Sequence, residues 1–173
     1  MKLREFKETE QEFSSERTSI NSSKLPAIFK MIEFVPGTLN LDYGGGKFDN
    51  ASDYLSTLDV ENVIYDKYNR DGKQNRYAIE RVRKNGGADT VTLSNVLNVI
   101  KEPEIRHEVL SNIKELLKPN GTLYVTVFEG SKGQAEGPTK SGYQLARKTE
   151  DYIPEIEEVF DNVTRKGKLI IAK

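Results

Sequence analysis

The segment at residues 38–47 constrains the fold of this chain more than any other stretch. Leu39 and Leu41 alternate with polar residues, which predicts a short strand, and three consecutive glycines follow closely. Glycine permits positive φ angles and lets a ligand approach the backbone. After the glycines, apolar residues recur at roughly helical spacing: Phe48, Ala51, Tyr54, Leu55 and Leu58. A strand, a glycine turn and the start of a helix together predict a site for a nucleotide-like ligand at the carboxyl end of a sheet.

Strands and helices alternate along the rest of the chain. The predicted strands lie at residues 62–66, 89–95 and 123–128, and the predicted helices at 25–34, 77–84, 103–117 and 152–160. A predicted hairpin between residues 162 and 171 closes the chain. This α/β pattern predicts a doubly wound, mostly parallel sheet with helices on both faces and an antiparallel C-terminal hairpin strand. No clear third strand lies between Asp66 and Asp89, so we expect that strand to be missing or short.

Composition limits the class of protein and the kind of site. The 173 residues make one domain, and 36% hydrophobic with 31% charged residues is typical of a polar, soluble protein. Neither a membrane-spanning run nor a secretory signal is found, so we expect a cytoplasmic protein. With no cysteine and one histidine, a thiolate or histidine-rich metal site is excluded, and we expect no metal.

An acidic residue two positions before the first of two alternate glycines forms a recognisable pattern with Asp42, Gly44 and Gly46. It resembles motif I of the class I (Rossmann-like) S-adenosylmethionine (SAM) dependent methyltransferases. Residues 88–100 resemble the fourth-strand region of that family, and residues 117–123 resemble its helix-to-fifth-strand junction. The terminal hairpin is a further hallmark. The resemblance covers residues 24–173, which we interpret as a single methyltransferase-like domain preceded by a polar arm at residues 1–23.

The resemblance implies a SAM site and a SAM-dependent methyltransferase activity with an unidentified acceptor: a small molecule, or an exposed nucleic-acid or protein site. Asp66 follows Gly46 by 20 positions, which is the place of the family's ribose-binding acid. The full set of predicted cofactor-binding residues is Asp42, Gly44, Gly45, Gly46, Asp66, Lys67, Asn95 and Val96. Transfer of the methyl group by in-line displacement needs mainly alignment and exclusion of water.

Candidates for a catalytic side chain are few. Asn98 lies where the fourth strand gives way to a loop over the cofactor, and Glu129 follows the predicted strand at 123–128, where a general base would face the acceptor. Turn formation is the alternative for Asn98, and an ordinary surface carboxylate is the alternative for Glu129. His107 lies between the apolar stripe positions of its helix, which predicts a surface residue.

The sequence departs from the family at two places. With the third strand missing, the usual adenine-contacting acid has no counterpart, and Asp89, Thr90 or the backbone near Gly86 remain as candidates. The Asp/Asn-Pro-Pro-aromatic motif of amino-directed DNA methyltransferases is absent, and the lack of cysteine excludes a thiolate route to carbon-5 methylation of pyrimidines.

Two other functions remain open. A non-catalytic SAM-binding or interaction protein would have the same fold without a general base. A nicotinamide-dependent oxidoreductase is disfavoured because Asp49 stands where the dinucleotide fingerprint requires a third glycine.

Other segments of the sequence suggest binding partners and loops that could close over the site. The glycine-rich residues 130–148 are interpreted as a lid or substrate loop, and residues 18–24 as a segment that could fold over the cofactor. Residues 67–84 carry seven basic and two acidic side chains. This basic segment and the loop at 130–148 leave nucleic acid open as a partner, whereas the oligomeric state is not predicted.

Overall fold

A computed structural model describes residues 6, 8–17 and 23–173 of the chain. Its central sheet has six strands in the order β2-β1-β3-β4-β8-β7. The strands of this sheet are β1 (Leu39–Tyr43), β2 (Glu61–Tyr65), β3 (Ala88–Ser94), β4 (Leu117–Thr126), β7 (Val163–Lys166) and β8 (Leu169–Ala172). The α-helices are α1 (Asn50–Ser56), α2 (Gly72–Lys84), α3 (Pro103–Leu116) and α4 (Ile153–Glu157).

The pairing of the strands confirms the predicted architecture. Strands β2, β1, β3 and β4 are parallel to their neighbours, whereas β8 is antiparallel to both β4 and β7. All five residues of β1 are buried, as expected for a central parallel strand covered on both faces. The carboxyl ends of the parallel strands therefore meet at one edge of the sheet, where the glycine turn lies.

Two apolar cores lie on opposite faces of the sheet. The larger core includes Leu41, Val82 and Val109 and places α2 and α3 on one face, and the smaller core includes Phe29 and Leu55 and places α1 on the other. Helices on both faces agree with the doubly wound prediction. Among the described residues no helix is both long enough and apolar enough to cross a membrane.

The third strand is missing, as the sequence predicted. Between β2 and β3 the chain forms only α2, so β2 lies at the edge of the sheet. Helix α2 begins at Gly72, five residues earlier than the apolar pattern indicated, because Asp71 and Gln74 form a reciprocal capping box. The Asp71 side chain accepts a hydrogen bond of 2.8 Å from the Gln74 backbone nitrogen.

Two predicted helices are shorter than expected. The segment at 25–34 forms only a 3₁₀ turn at Ala27–Lys30, since Pro26 and the Pro36–Gly37 turn confine it. The segment at 152–160 is helical only over Ile153–Glu157, after a 3₁₀ turn. In both cases apolar residues at helical spacing fill the core without a long helix.

The junction between α3 and β4 is tighter than predicted. Helix α3 ends at Leu116 and β4 begins at the next residue, whose Cα pairs with Ala88. The pairing then shifts and resumes between Thr90 and Thr122, so the intervening residues of β4 bulge out of the ladder.

The loop at 130–148 is more ordered than its glycine content suggests. It contains the antiparallel hairpin of β5 (Gly137–Thr139) and β6 (Gly142–Gln144). Tyr143 and Leu145 are buried against the larger core, which anchors the loop. The composition indicated a segment without regular structure, whereas the structure shows a hairpin docked onto the larger core.

Candidate functional site

The glycine turn follows β1 at the carboxyl edge of the sheet. Gly44 and Gly46 adopt φ angles of +74° and +76°, a region that favours glycine. The Gly44 backbone nitrogen donates a hydrogen bond of 2.6 Å to the Tyr65 carbonyl at the end of β2. The turn is therefore fixed to the neighbouring strand instead of hanging free in solvent.

Close packing explains why side chains are excluded from the turn. A Cβ atom on Gly44 would lie 2.5 Å from a methyl carbon of Val96, which follows β3. A Cβ atom on Gly45 would lie 2.8 Å from both the Asp42 carboxyl carbon and an Ile64 methyl carbon. The turn thus lies directly above the Asp42 carboxylate and beneath Val96.

Asp42 lies under the turn and is only 2% exposed. Its Oδ1 atom accepts a hydrogen bond of 3.0 Å from the Thr92 hydroxyl on β3. Burial and, to a smaller extent, the nearby Asp66 carboxylate raise the pKa of Asp42 to about 7, against the lowering effects of Thr92 and Arg70. A buried carboxyl with such a pKa is poised to become charged when a cation binds nearby.

Asp66, predicted to bind ribose, holds the local backbone in this structure. Its Oδ2 atom accepts a hydrogen bond of 2.8 Å from the Gly46 nitrogen. Its Oδ1 atom accepts from the backbone nitrogens of Tyr68 and Asn69 at 3.0 and 3.1 Å and from the Asn69 side chain at 3.0 Å. Asp66 is 3% exposed, so it joins the glycine turn to the end of β2.

Asn95 and Val96, which follow the end of β3, lie beside the glycine turn. Asn95 has a φ of +57°, a conformation that asparagine tolerates better than most residues. Its backbone nitrogen donates to the Thr126 carbonyl at 2.9 Å. Val96 packs over Gly44, as the crowding there shows. The carboxyl-edge cleft is the space bordered by Gly44, Asp66, Tyr68 and Val96.

The N-terminal arm lies in the carboxyl-edge cleft. The Glu8 carboxylate accepts hydrogen bonds from the hydroxyls of Tyr65 and Tyr43 at 2.7 and 3.2 Å. Lys67 donates to the Glu8 carbonyl at 2.9 Å, and the Gln11 nitrogen donates to the Tyr68 hydroxyl at 3.0 Å. Burial raises the pKa of Glu8 above its usual range.

Aromatic contacts strengthen this docking. The Phe6 ring meets the Tyr65 ring edge-on at 5.0 Å between centroids, and Phe13 lies 5.3 Å from Tyr143 of the loop at 130–148. With the arm in place, a cavity of about 30 Å³ remains in the cleft. Pockets for small molecules measure roughly 300–1,000 Å³, so this remnant is too small for a nucleotide-like ligand. The predicted cover at residues 18–24 lies outside the described residues, apart from Ser23 and Lys24.

Comparison with known proteins decides the fold. No family model matches the chain, and no curated protein matches it in sequence. Solved structures do match. A structure described as PigF with SAH has a TM-score of 0.57 at 14% identity, covering 85% of this chain and 54% of its own. The fold is that of the class I methyltransferases.

Other neighbours show the range of chemistry on this fold. The 1,6-didemethyltoxoflavin-N1-methyltransferase of Burkholderia thailandensis, solved with bound 1,6-didemethyltoxoflavin and S-adenosylhomocysteine, has a TM-score of 0.54 at 15% identity and covers 79% of this chain and 71% of its own. The [4+2]-cyclase SpnF has a TM-score of 0.53 at 16% identity, with coverage of 80% and 57%. The chain spans only about half the length of several of these proteins.

The two candidate catalytic residues lie on the side of the class I fold covered by the loop at 130–148. Asn98 is buried, and its Nδ2 atom donates to the Gln144 side chain at 3.2 Å. Its backbone carbonyl accepts from the Leu145 nitrogen at 2.9 Å, whereas its Oδ1 atom has no partner in the described chain. Asn98 therefore anchors the loop and retains one free acceptor.

Glu129 is held as a charged group. Lys168 forms an ion pair with it, and the Thr149 nitrogen and hydroxyl donate to it at 2.6 and 3.0 Å. These contacts lower the pKa of Glu129 to about 2. A general base works best with a pKa near the working pH, so the geometry favours the alternative of an ordinary surface carboxylate.

His107 and the adenine candidates lie away from the cleft. The His107 side chain is half exposed and lies 3.5 Å from the Glu158 carboxylate, as predicted for a surface residue. Asp89 and Thr90 are at the amino end of β3, where Asp89 accepts from the Leu39 nitrogen at 2.9 Å and from Lys118 at 3.0 Å. Because β3 is parallel to β1, this is the edge opposite the glycine turn, so these two residues are wrong as adenine contacts.

The positive charges of the segment at 67–84 are partly neutralised within the protein. Lys67 pairs with Glu10, and Arg81 pairs with Glu61. Arg70 donates to the Gly46 carbonyl at 2.9 Å and pairs with Asp49 at 2.8 Å, which supports the glycine turn. Binding of nucleic acid stays a prediction.

Sequence reasoning missed the tyrosines that receive the arm. Tyr43 and Tyr65 end two adjacent parallel strands, and their rings lie 4.9 Å apart. Their shared position at the strand ends was a usable signal, because parallel neighbours end at the same edge. The Glu8 contact itself joins residues 57 positions apart and has no local pattern.

Proposed function

We propose that this chain is a SAM-dependent methyltransferase domain. One observation carries the proposal: a glycine turn with two positive φ angles lies at the carboxyl edge of a class I methyltransferase sheet, between the ends of β1, β2 and β3. That edge is where open α/β sheets bind nucleotide-like ligands. Solved neighbours containing SAH or SAM support the same choice of cofactor.

The residues present suit the parts of such a cofactor. Gly44 borders the cleft, where the amino-acid portion of the cofactor would lie against the backbone of the glycine turn, and Asn95 precedes Val96 at another border of the cleft. Oδ2 of Asp66 accepts one hydrogen bond from the protein, so it retains a lone pair for a ribose hydroxyl. Asp42 would supply negative charge beneath the turn, since a nearby cation lowers the pKa of a buried carboxyl.

Access to the cleft requires the arm to move. Glu8 and Gln11 occupy the space next to Asp66 and Tyr68 that the ligand would fill. Since the contacts of Glu8 with Tyr43 and Tyr65 come from the arm alone, they can open without disturbing the sheet. Once returned, the arm and the loop at 130–148 would exclude water from the cleft.

Methyl transfer from SAM requires the protein mainly to bind and align the two reactants. SAM supplies a methyl group already activated by its sulfonium. The chain would hold the acceptor in line and exclude water during the transfer, and any proton on the acceptor would pass to solvent when the product leaves. We propose no single acceptor: a small molecule, a nucleic-acid site and a protein site all fit an edge covered by a loop.

Calorimetric titration with SAM tests the proposal. We expect binding to the full chain, and at least tenfold tighter binding to a chain that lacks residues 1–17. Gly44→Val should abolish binding in both backgrounds, whereas Gly133→Val, at an open loop glycine with a similar φ of +74°, should not. Lack of binding by the truncated chain at high micromolar SAM would refute the proposal.

A non-catalytic role for the same fold is favoured by two observations. The N-terminal arm leaves a cavity of only about 30 Å³ in the cleft, and the low pKa of Glu129 makes it a poor general base. Incubation of the truncated chain with labelled SAM and separated RNA, DNA, protein and metabolite fractions distinguishes the two functions. Label in any fraction supports the enzyme, and SAM binding without transfer supports the binding protein.

A further inference from the structure

The two segments that cover the carboxyl-edge cleft contact each other. The Phe13 ring of the N-terminal arm lies 5.3 Å from the Tyr143 ring of the loop at 130–148, measured between centroids. Both rings pack against the larger core, and Tyr143 is only 8% exposed. Contacts between aromatic rings stabilise beyond the apolar area they bury. The arm and the loop are therefore not independent covers, because each is held partly by the other.

Lys101 adds a second contact at the same point of the arm. Its Nζ atom forms an ion pair of 2.6 Å with Glu12 and lies 5.7 Å from the centre of the Phe13 ring. The backbone at Lys101 is fixed in turn by the buried Arg106 side chain, whose Nη1 atom donates to the Lys101 carbonyl at 3.0 Å. An ammonium group over an aromatic face is favourable, so Lys101 helps to keep the Phe13 ring beside Tyr143.

One short segment of chain joins both covers to the cleft. Asn98 holds the loop, because its carbonyl accepts a hydrogen bond of 2.9 Å from the Leu145 nitrogen. Val99 and Ile100, the next two residues, line the cleft itself. Lys101 then holds the arm through its ion pair. Consecutive residues of one segment thus contact the loop, the cleft and the arm in turn.

We propose that the docked arm stabilises the closed position of the loop at 130–148, so that displacing the arm makes the loop easier to open. The role of this coupling in regulation rests on the proposed function, because SAM would be the ligand that displaces the arm from the cleft. SAM binding would remove Phe13 from Tyr143 and loosen the cover on the acceptor side. By thermodynamic linkage, an acceptor that opens the loop would in turn weaken docking of the arm and make SAM bind more tightly.

Amide hydrogen exchange of the full chain, measured by NMR without any ligand, tests the coupling. The Leu145 amide donates to the Asn98 carbonyl and reports opening of the loop. The Thr9 amide donates to the Glu108 carboxylate at 2.8 Å and reports opening of the arm. Because no ligand is present, the result does not depend on whether the cleft binds SAM. Failure of the proposed function would appear instead as absence of SAM binding in calorimetry.

Two variants separate the arm from the loop in different ways. Glu8→Lys replaces a carboxylate that accepts two hydroxyl hydrogen bonds with an ammonium group next to Lys67, so it should release the whole arm. Exchange at Leu145 should then rise roughly two- to tenfold, the factor expected for loss of one aromatic contact. Phe13→Ala removes that contact alone and should raise Leu145 exchange by a similar factor while Glu8 keeps the rest of the arm docked. Glu33→Lys, the same change of charge at an exposed residue before β1, is the control and should leave both amides unchanged.

Combining the two variants identifies the contact that carries the coupling. In the Glu8→Lys background the arm has already left the loop, so Phe13→Ala should cause no further rise at Leu145. Released exchange at Thr9 with unchanged exchange at Leu145 in Glu8→Lys would overturn the proposal, as would unchanged Leu145 exchange in Phe13→Ala. If Glu8→Lys leaves the Thr9 amide protected, the result for Phe13→Ala alone decides. Additive rises in the combined variant would also overturn the proposal, because the Phe13 ring would then act on the loop without docking of the arm.

Discussion

The Asp66 carboxylate accepts a hydrogen bond of 2.8 Å from the backbone nitrogen of Gly46, across 20 positions of sequence. The end of β2 therefore fixes the last glycine of the turn that follows β1. Asp66 was predicted to contact the ligand, and in the structure its carboxylate holds the backbone of the turn. Any ribose contact would share that carboxylate. The stability of the turn and the affinity of the site are consequently coupled.

Replacing Asp66 with alanine should destabilise the fold. The change leaves the nitrogens of Gly46, Tyr68 and Asn69 without an acceptor at a buried position, which typically costs about 2–4 kcal/mol in total. Urea unfolding measures the loss. Glu150→Ala serves as the control, since it removes only the exposed ion pair with Arg165, worth at most about 1 kcal/mol. Equal losses in the two variants would show that Asp66 does not hold the turn.

Gly44→Ala should destabilise the chain more than Gly133→Ala. Both glycines have a φ of +74°, so both variants place a side chain in the left-handed region, at about 1–2 kcal/mol. Only at Gly44 does the new Cβ meet another side chain, Val96 at 2.5 Å, whereas Gly133 is open to solvent. The difference between the two unfolding free energies therefore measures the crowding alone.

A double variant isolates that contact. Val96→Ala removes the methyl group that the new Cβ would strike, so it should recover part of the stability lost in Gly44→Ala. A coupling energy near zero in the double-mutant cycle would mean that the turn relaxes elsewhere.

Stability should fall as the pH rises toward neutrality because of Asp42. Its pKa is raised from 3.8 to about 7, so the folded state holds a proton that the unfolded state has already released. The contribution is fully present below about pH 4 and is lost as the pH rises through 7, amounting to at most about 4 kcal/mol. Asp42→Asn cannot ionise, so its unfolding free energy relative to the unchanged protein should rise between pH 4 and 8. A constant difference over that range would contradict the raised pKa.

The sequence predicted the positions of those residues for which local pattern and topology suffice. The glycine turn, Asp42 and Asp66 meet at one edge because parallel strands end together, and the loss of the third strand followed from the absence of a strand pattern between Asp66 and Asp89. Asp89 was wrong as an adenine contact because it begins its strand, and the beginnings of these parallel strands lie at the edge opposite the glycine turn. It also missed the docked arm, which depends on contacts such as Glu8 with Tyr65 that no local periodicity encodes.

Loosening the arm should expose it to protease without unfolding the domain. Tyr65→Phe together with Tyr68→Phe removes the hydroxyls that bond Glu8 and the Gln11 nitrogen, each bond worth about 1 kcal/mol. Arm opening should become roughly ten- to thirtyfold more frequent, and trypsin should cleave after Arg17 faster by a similar factor. Tyr77→Phe, at an exposed hydroxyl, is the matched control and should cleave at the original rate. An unchanged rate in the double variant would mean that the remaining contacts of the arm, such as Lys67 with the Glu8 carbonyl and the rings of Phe6 and Phe13, are sufficient to hold it in the cleft.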